Sequence, residues 1–203
     1  LTECRRDLLE ALRQPLEDGK IVVSRAAGRV VFPCRVLLIA ACNPCPCGWD
    51  GDMVEQCICS AYEKERYRKR ISGPILDRID LHVSVPRLLP KELISFENQR
   101  VESSKVVRKR VCMARERQRK RWGKYGFHCN AELPERFIKR SLQLSRDVRS
   151  FLIQMSDRLR LSGRGISRVL KVSRTIADLA GSSEVEVSHV AEALAYRKGS
   201  VSL

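Results

Sequence analysis

Val36-Leu37-Leu38-Ile39-Ala40-Ala41-Cys42-Asn43-Pro44-Cys45-Pro46-Cys47-Gly48 changes character within a few residues. Its first six residues are continuously apolar, the pattern of a strand covered on both faces. Such a strand demands parallel neighbours, and the chain offers few segments to supply them. The run ends at Asn43-Pro44, a polar residue at a strand tip, where open α/β sheets place their ligands. Two Cys-x-Cys pairs follow, Cys45/Cys47 and Cys57/Cys59. Cys42 is expected to point into the core beside the strand.

Four thiolates are the full ligand set of a structural zinc site, which leaves no coordination position open. Cys45, Cys47, Cys57 and Cys59 supply that number from two tight knuckles, closing a polar loop that holds Gly48, Gly51 and two aspartates. The metal would add folding energy that so small a loop cannot draw from a core. Four free thiols in an ordinary loop are the plain alternative, and an iron–sulfur cluster is a more distant one.

Working outward, residues 2–16 read as a helix with Cys4, Leu8, Leu12 and Leu16 on one face, stopped by Gly19. Ile21-Val22-Val23 and Val30-Val31-Phe32 flank a six-residue polar stretch and read as a hairpin, with Lys20, Arg25 and Arg29 clustered around it. Residues 63–71 read as a charged helix, and Leu81 to Val85 alternate as a short strand before Pro86. From about residue 88 everything is helix-like, which sets a domain boundary near residues 86–101: 1–87 forms an α/β part and 88–203 a helical one. Helices are expected at about 103–122, 135–144, 146–159 and 166–180, with a last one starting at Ser188 as N-cap. Val107, Val111, Ala114 and Gln118 mark the inner face of the first, and nine Lys or Arg crowd its remaining faces.

Three polar residues stand at element ends. Asn43 reads either as a residue that orients a water or touches a terminal phosphate, or as a turn opener. Arg78, between Asp77 and Asp80 after Gly73-Pro74, reads either as an arginine presented across a subunit interface or as a local salt bridge. Arg164 precedes a helix N-terminus, a place that suits a phosphate. Arg168, Lys171 and Arg174 continue from it as a basic stripe, for which the plain reading is a solvated face. His82, His128 and His189 show no catalytic pattern.

The balance of 39 Lys and Arg against 24 Asp and Glu leaves a net charge of +15, which favours a polyanionic partner. Aromatic residues make up only 5%, against a base-stacking platform. Nine cysteines, an odd count, and the lack of a signal or membrane-length apolar span fit a reducing cytoplasm rather than a disulfide framework.

Leu12-Arg13-Gln14-Pro15-Leu16-Glu17-Asp18-Gly19, Asn43-Pro44-Cys45-Pro46-Cys47-Gly48, Ser72-Gly73-Pro74-Ile75-Leu76-Asp77-Arg78-Ile79-Asp80 and Ser173-Arg174-Thr175-Ile176-Ala177-Asp178-Leu179 together resemble the Mg-chelatase-like AAA+ ATPases of bacteria, in the YifB/ComM group. The resemblance covers nearly the whole chain, and the cysteine-rich loop after Asn-Pro is its most specific part. It implies the remnant of an AAA+ α/β core followed by an all-α lid bundle, mostly helical overall. It also implies ATP and Mg²⁺ as cofactors, a homo-hexameric ring, and DNA as partner, with branch migration in recombination during natural transformation as the associated activity. Asn43 matches sensor 1, Arg78 the arginine finger and Arg164 sensor 2. The hairpin resembles a pore insertion, which would bring Lys20, Arg25 and Arg29 to nucleic-acid phosphates.

No Gly-x-x-x-x-Gly-Lys-[Ser/Thr] phosphate loop occurs in the sequence. By the resemblance, the Walker B acidic pair and a Lon-protease-like domain lie upstream of Leu1. The chain is therefore expected to be a C-terminal portion that does not hydrolyse ATP alone. Two other readings stand beside this one: a chelatase-type motor for metal insertion into a tetrapyrrole, and a non-enzymatic zinc-containing nucleic-acid-binding module.

Overall fold

A computed structural model describes residues 1–26, 28–90 and 102–198. The described residues are mostly helical, with one two-stranded sheet, and they form two compact units. Among the described residues, one comprises Leu1–Ile79 with Val85–Arg87, the other Asp80–Ser84 with 88–90 and 102–198. The boundary expected near 86–101 falls largely on residues 91–101, outside the described ones.

The first unit opens with α1 (Arg6–Ala11) and α2 (Arg13–Asp18), where one helix is expected. Pro15 has no N–H to return to the Ala11 carbonyl, and the helix is interrupted at Leu12. The break resets the phase of the apolar stripe: Leu9 is buried and Leu8 is exposed, contrary to the face read from residues 4, 8, 12 and 16. Gly19, left-handed at φ 62°, ends α2 as expected. Its carbonyl accepts from Cys34 N at 2.8 Å, closing the base of the hairpin.

That hairpin pairs β1 (Lys20–Arg25) antiparallel with β2 (Gly28–Pro33), Ile21 opposite Phe32 and Ser24 opposite Arg29. The strand expected over Val36–Ala41 is not formed. The segment has no ladder partner among the described residues, and Leu37 and Ile39 are 87% and 84% exposed. A doubly covered strand draws its stability from neighbours on both edges; β1 and β2 satisfy only each other, so the run stays bare. Leu81 to Val85 likewise forms no ladder. Its backbone is instead tied by His82 N, which donates to Tyr196 O at 2.8 Å.

Beyond the cysteine loop, α3 (Ala61–Arg68) begins on a full capping box: Ser60 Oγ accepts from Glu63 N, and Glu63 accepts from Ser60 N. The short α4 (Gly73–Leu76) buries Ile75, which with Leu9, Tyr67 and Ile71 makes up the unit's small core.

The second unit is built from α5 (Ser104–Trp122), α6 (Glu135–Ser141), α7 (Arg146–Arg158), α8 (Gly163–Ala180) and α9 (Val187–Lys198). α8 packs on α5, α6 and α9, and α9 also packs on α7. Val169, Leu170, Ala177, Val190 and Leu194 sit at the centre, with Trp122 and Leu133 closing one end. Ser188 is not the N-cap expected of it, because α9 already begins at Val187; just ahead of that helix, His189 Nδ1 accepts from Glu186 N at 3.0 Å. In α5 only Ala114, Gln118 and Trp122 are buried, and residues 104–113 are exposed throughout, including Val107 and Val111 of the expected inner face.

A polar knot locks this bundle. Asp178 on α8 has no exposed surface; its carboxylate takes two bonds from Arg121 at 2.8 and 3.1 Å, one from Arg174 at 3.0 Å and one from Asn130 at 3.0 Å. Arg117 donates to the Asp178 carbonyl at 2.8 Å. Asn130 accepts from Trp122 Nε1 and donates to Thr175 Oγ1. The stripe read as a solvated face is thereby corrected: Arg174 is buried and also caps the Ser182 and Ser183 carbonyls. Lys171 donates to Ala131 O, and burial lowers its ammonium pKa. Arg168 pairs with Asp80.

Removing one partner from a buried ionic cluster strands the others without solvent. Asp178→Ala is expected to cost about 3–5 kcal/mol, read as a lower urea midpoint for loss of helical circular dichroism; an unchanged midpoint would show that the knot does not stabilise the bundle.

Candidate metal centre and phosphate-sensing residues

Cys45, Cys47, Cys57 and Cys59 bring their sulfurs to within 4.8 Å of one another. The closest separations are 3.3 Å for Cys45–Cys47, 3.6 Å for Cys47–Cys57 and 3.7 Å for Cys45–Cys57. A tetrahedron of thiolates around zinc, with bonds of about 2.3 Å, sets its sulfurs about 3.8 Å apart. The donor set therefore fits zinc in both number and spacing. Cys42 does not compete: it is exposed, not core-facing as expected, and lies outside the cluster.

Local backbone chemistry shapes the cluster. Gly48, left-handed at φ 87°, lets the chain fold back so that its N–H reaches the Cys45 carbonyl at 3.1 Å. Asp52 Oδ1 accepts from Val54 N and Glu55 N, both at 2.8 Å, and turns the chain towards the second pair. Asp50 fixes the loop to α3 through Lys64 at 2.5 Å and Arg68 at 3.0 Å, and the Lys64 contact chiefly holds its carboxyl below the usual range.

The four thiols are not equivalent. The Trp49 backbone N–H, aided by Cys45 and Ile58, brings Cys47 down to about 6. Cys59 is pushed up to about 12: the Cys47 backbone amide lowers it, but burial and the neighbouring sulfurs outweigh that amide. Burial is also the main cause raising Cys57, against which the Lys64 ammonium acts. The Cys47 thiolate thus forms readily, while crowding opposes those of Cys57 and Cys59 until a cation neutralises them. Lys64 and Arg68, held beside the cluster through Asp50, supply positive charge next to a centre that would be doubly negative with zinc bound.

Asn43 is exposed and lines a recess of about 20 Å³ with Thr2, Cys42, Pro44, Tyr67 and Arg68. That volume takes one water and no nucleotide. Arg78 is buried. Its Nε lies 2.9 Å from Glu17 Oε2 and its Nη1 donates to Pro74 O at 2.8 Å. Its ion-pair partner is thus Glu17, distant in sequence, and Asp80, one of the expected flanking partners, pairs with Arg168. Asn43 and Arg78 belong to the first unit and Arg164 to the second. Arg164 is exposed within the first turn of α8, not ahead of it, because the helix starts at Gly163, where Ser162 Oγ accepts from Gly165 N. At the hairpin, Arg25 and Arg29 sit at the tip on opposite faces of the ribbon and Lys20 at the base, so the three do not form one cluster.

Two family models match the sequence: residues 1–93 match magnesium chelatase, subunit ChlI, and residues 101–197 match the ChlI C-terminal part. The chain is 44% identical over 197 residues to competence protein ComM of Haemophilus influenzae, covering 97% of this chain and 37% of that protein. It is 41% identical over 201 residues to the uncharacterized protein Rv2897c of Mycobacterium tuberculosis, covering 98% and 39%. Against the uncharacterized protein YifB of Escherichia coli it is 39% identical over 198 residues, covering 97% and 38%. The chain spans about two fifths of the length of these relatives.

Protein purified without chelator is expected to carry one zinc per chain by elemental analysis. In metal-free protein near neutral pH, alkylation followed by mass spectrometry should modify Cys47 ahead of Cys57 and Cys59, and added zinc should protect all four. A metal-free preparation in which zinc protects none of them would reject the centre.

Proposed function

We propose that this chain, which belongs to the magnesium chelatase ChlI family, supplies the sensor, arginine-finger and lid parts of an AAA+ ATPase that works on DNA. The observation that carries the reading is similarity over nearly the whole chain to a protein named for competence, through the zinc-type loop and the helical unit alike. On this reading the Val36–Ala41 run is an AAA+ core strand whose neighbours lie outside this sequence. ATP and Mg²⁺ are likewise held by residues the chain does not contain, since it has no phosphate loop.

The roles follow from the chemistry of three side chains. Asn43, beside a recess of water size, orients the attacking water. Arg78 is held by its ion pair with Glu17 and by the Nη1 bond to Pro74 O, a brace that positions the planar guanidinium for a neighbouring subunit's γ-phosphate. Arg164, in the first turn of α8, adds its charge to the positive end of the helix dipole and serves as the nucleotide contact of the lid. The full protein acts as a six-membered ring and drives branch migration, with Lys20, Arg25 and Arg29 of the hairpin reaching DNA in its pore. The cysteine centre is structural.

A second reading, a motor for magnesium insertion into a tetrapyrrole, is favoured by the descriptions of the two matching family models. Its signature would be an ATPase that responds to a porphyrin and not to DNA.

In the longer protein containing this chain, Arg78→Ala is expected to abolish ATP hydrolysis, a loss of at least about 10³-fold in turnover, with nucleotide binding retained. Retained turnover would remove the finger assignment. Stimulation of the intact ATPase by branched or single-stranded DNA supports the DNA reading; stimulation by porphyrin alone supports the second.

A further inference from the structure

α5 carries nine Lys or Arg between residues 105 and 121, and the structure divides them into two sets. Four are engaged: Arg110 with Glu102, Lys120 with Glu116, Arg117 with the Asp178 carbonyl and Arg121 with the Asp178 carboxylate. The other five, Lys105, Arg108, Lys109, Arg115 and Arg119, are exposed, and their side chains have no partner among the described residues.

These five share one side of the helix. At about 100° per residue they fall within an arc of about 120°, off the side that buries Ala114, Gln118 and Trp122. Between Lys105 and Arg119 the arc runs about 21 Å along the axis, at about 1.5 Å per residue. Over that length duplex DNA presents about a dozen phosphate charges. Cations whose only role was solubility would not sort into paired and unpaired sets by face; here the acidic partners sit off the unpaired side or are spent on Lys120.

We infer that Lys105, Arg108, Lys109, Arg115 and Arg119 form a phosphate-binding stripe that takes a nucleic-acid backbone without reading its sequence. Phosphate contacts need charge and spacing only, and this arc supplies both. An anionic membrane is the weaker partner. A helix lying in a bilayer interface sets bulky apolar groups beside its cations, and within this arc the only apolar side chain is that of Cys112. The inference rests on the reading of the chain as part of a DNA-acting protein, but it requires no ATP turnover. It also places a contact in the helical unit, apart from the hairpin cations named above.

The test uses the chain itself, without nucleotide, titrated on to a fluorescent DNA duplex of arbitrary sequence at several salt concentrations. Five phosphate contacts contribute about 4.5 to the slope of log K against log salt, a loss of about 500-fold between 50 and 200 mM salt. The variant with all five changed to Ala should show a slope shallower by that amount, with an unchanged urea midpoint, since none of the five is packed or paired. A triple variant, Lys20→Ala, Arg25→Ala and Arg29→Ala, separates the two sites. Binding that persists in the five-fold variant and vanishes in the triple one overturns the stripe and leaves the DNA reading intact. No binding by the unmodified chain overturns the stripe and counts against the DNA reading too. Equal or tighter binding to phosphatidylserine vesicles, lost in the five-fold variant, reassigns the stripe to a membrane and overturns the nucleic-acid inference.

Discussion

A carboxylate sealed from water must be met by charge, and Asp178 is met from three directions. Arg121 reaches it from α5, Asn130 from the connection after α5, and Arg174 from one turn earlier on its own helix. This requirement orders the second unit. α5 must present its C-terminal half to α8, which brings Trp122 on to Asn130 and fixes the aromatic cluster of Trp122, Phe127 and Phe137. The chemistry of Ser173 to Leu179 is thus a folding device: Ser173 and Thr175 return hydrogen bonds to Val169 and Lys171, while Arg174 and Asp178 make the knot. Because the knot takes Arg117 and Arg121, the unpartnered cations of α5 lie off that face.

The first unit is held differently. Its buried apolar set is short, and long-range polar ties supplement it: Glu17 to Arg78, Glu10 to Ser72, Asp50 to Lys64 and Arg68, Thr2 to Tyr67. Glu17 and Arg78 belong to two of the segments that carry the family resemblance, so the ion pair gives a physical reason for their co-occurrence. Burial of Arg78 makes its geometry depend on α2, and a charge change at Glu17 would act directly on Arg78. Where an apolar core is small, a metal held by the four cysteines would contribute order that packing does not.

Local patterns were legible in the sequence and non-local ones were not. The hairpin, the Gly19 stop and the helices of the second unit follow from neighbours within a few residues, and the structure has them. The four cysteines were readable as a group because two close pairs joined by a short loop can come together locally, and their sulfurs do meet. The Val36–Ala41 strand misled because apolar continuity records what a segment needs and not whether this chain provides it. The Arg168–Arg174 stripe misled because a helical wheel cannot show a carbonyl or carboxylate arriving from elsewhere. Glu17 as the partner of Arg78 lay beyond any local rule, since charges nearer in sequence were available. The sorting of α5 cations into spent and unspent sets needed the Asp178 partners to be known first.

The bare run from Val36 to Ile39 has a further effect on how the protein behaves in a tube. An extended apolar segment with open backbone donors and acceptors is a template for any compatible edge. A second copy of this chain offers such an edge. Colloidal behaviour of this chain is therefore set at one short segment, where a net charge of +15 keeps molecules apart at low salt and screening lets them meet. Salt then lowers the repulsion between copies and favours self-association through the first unit.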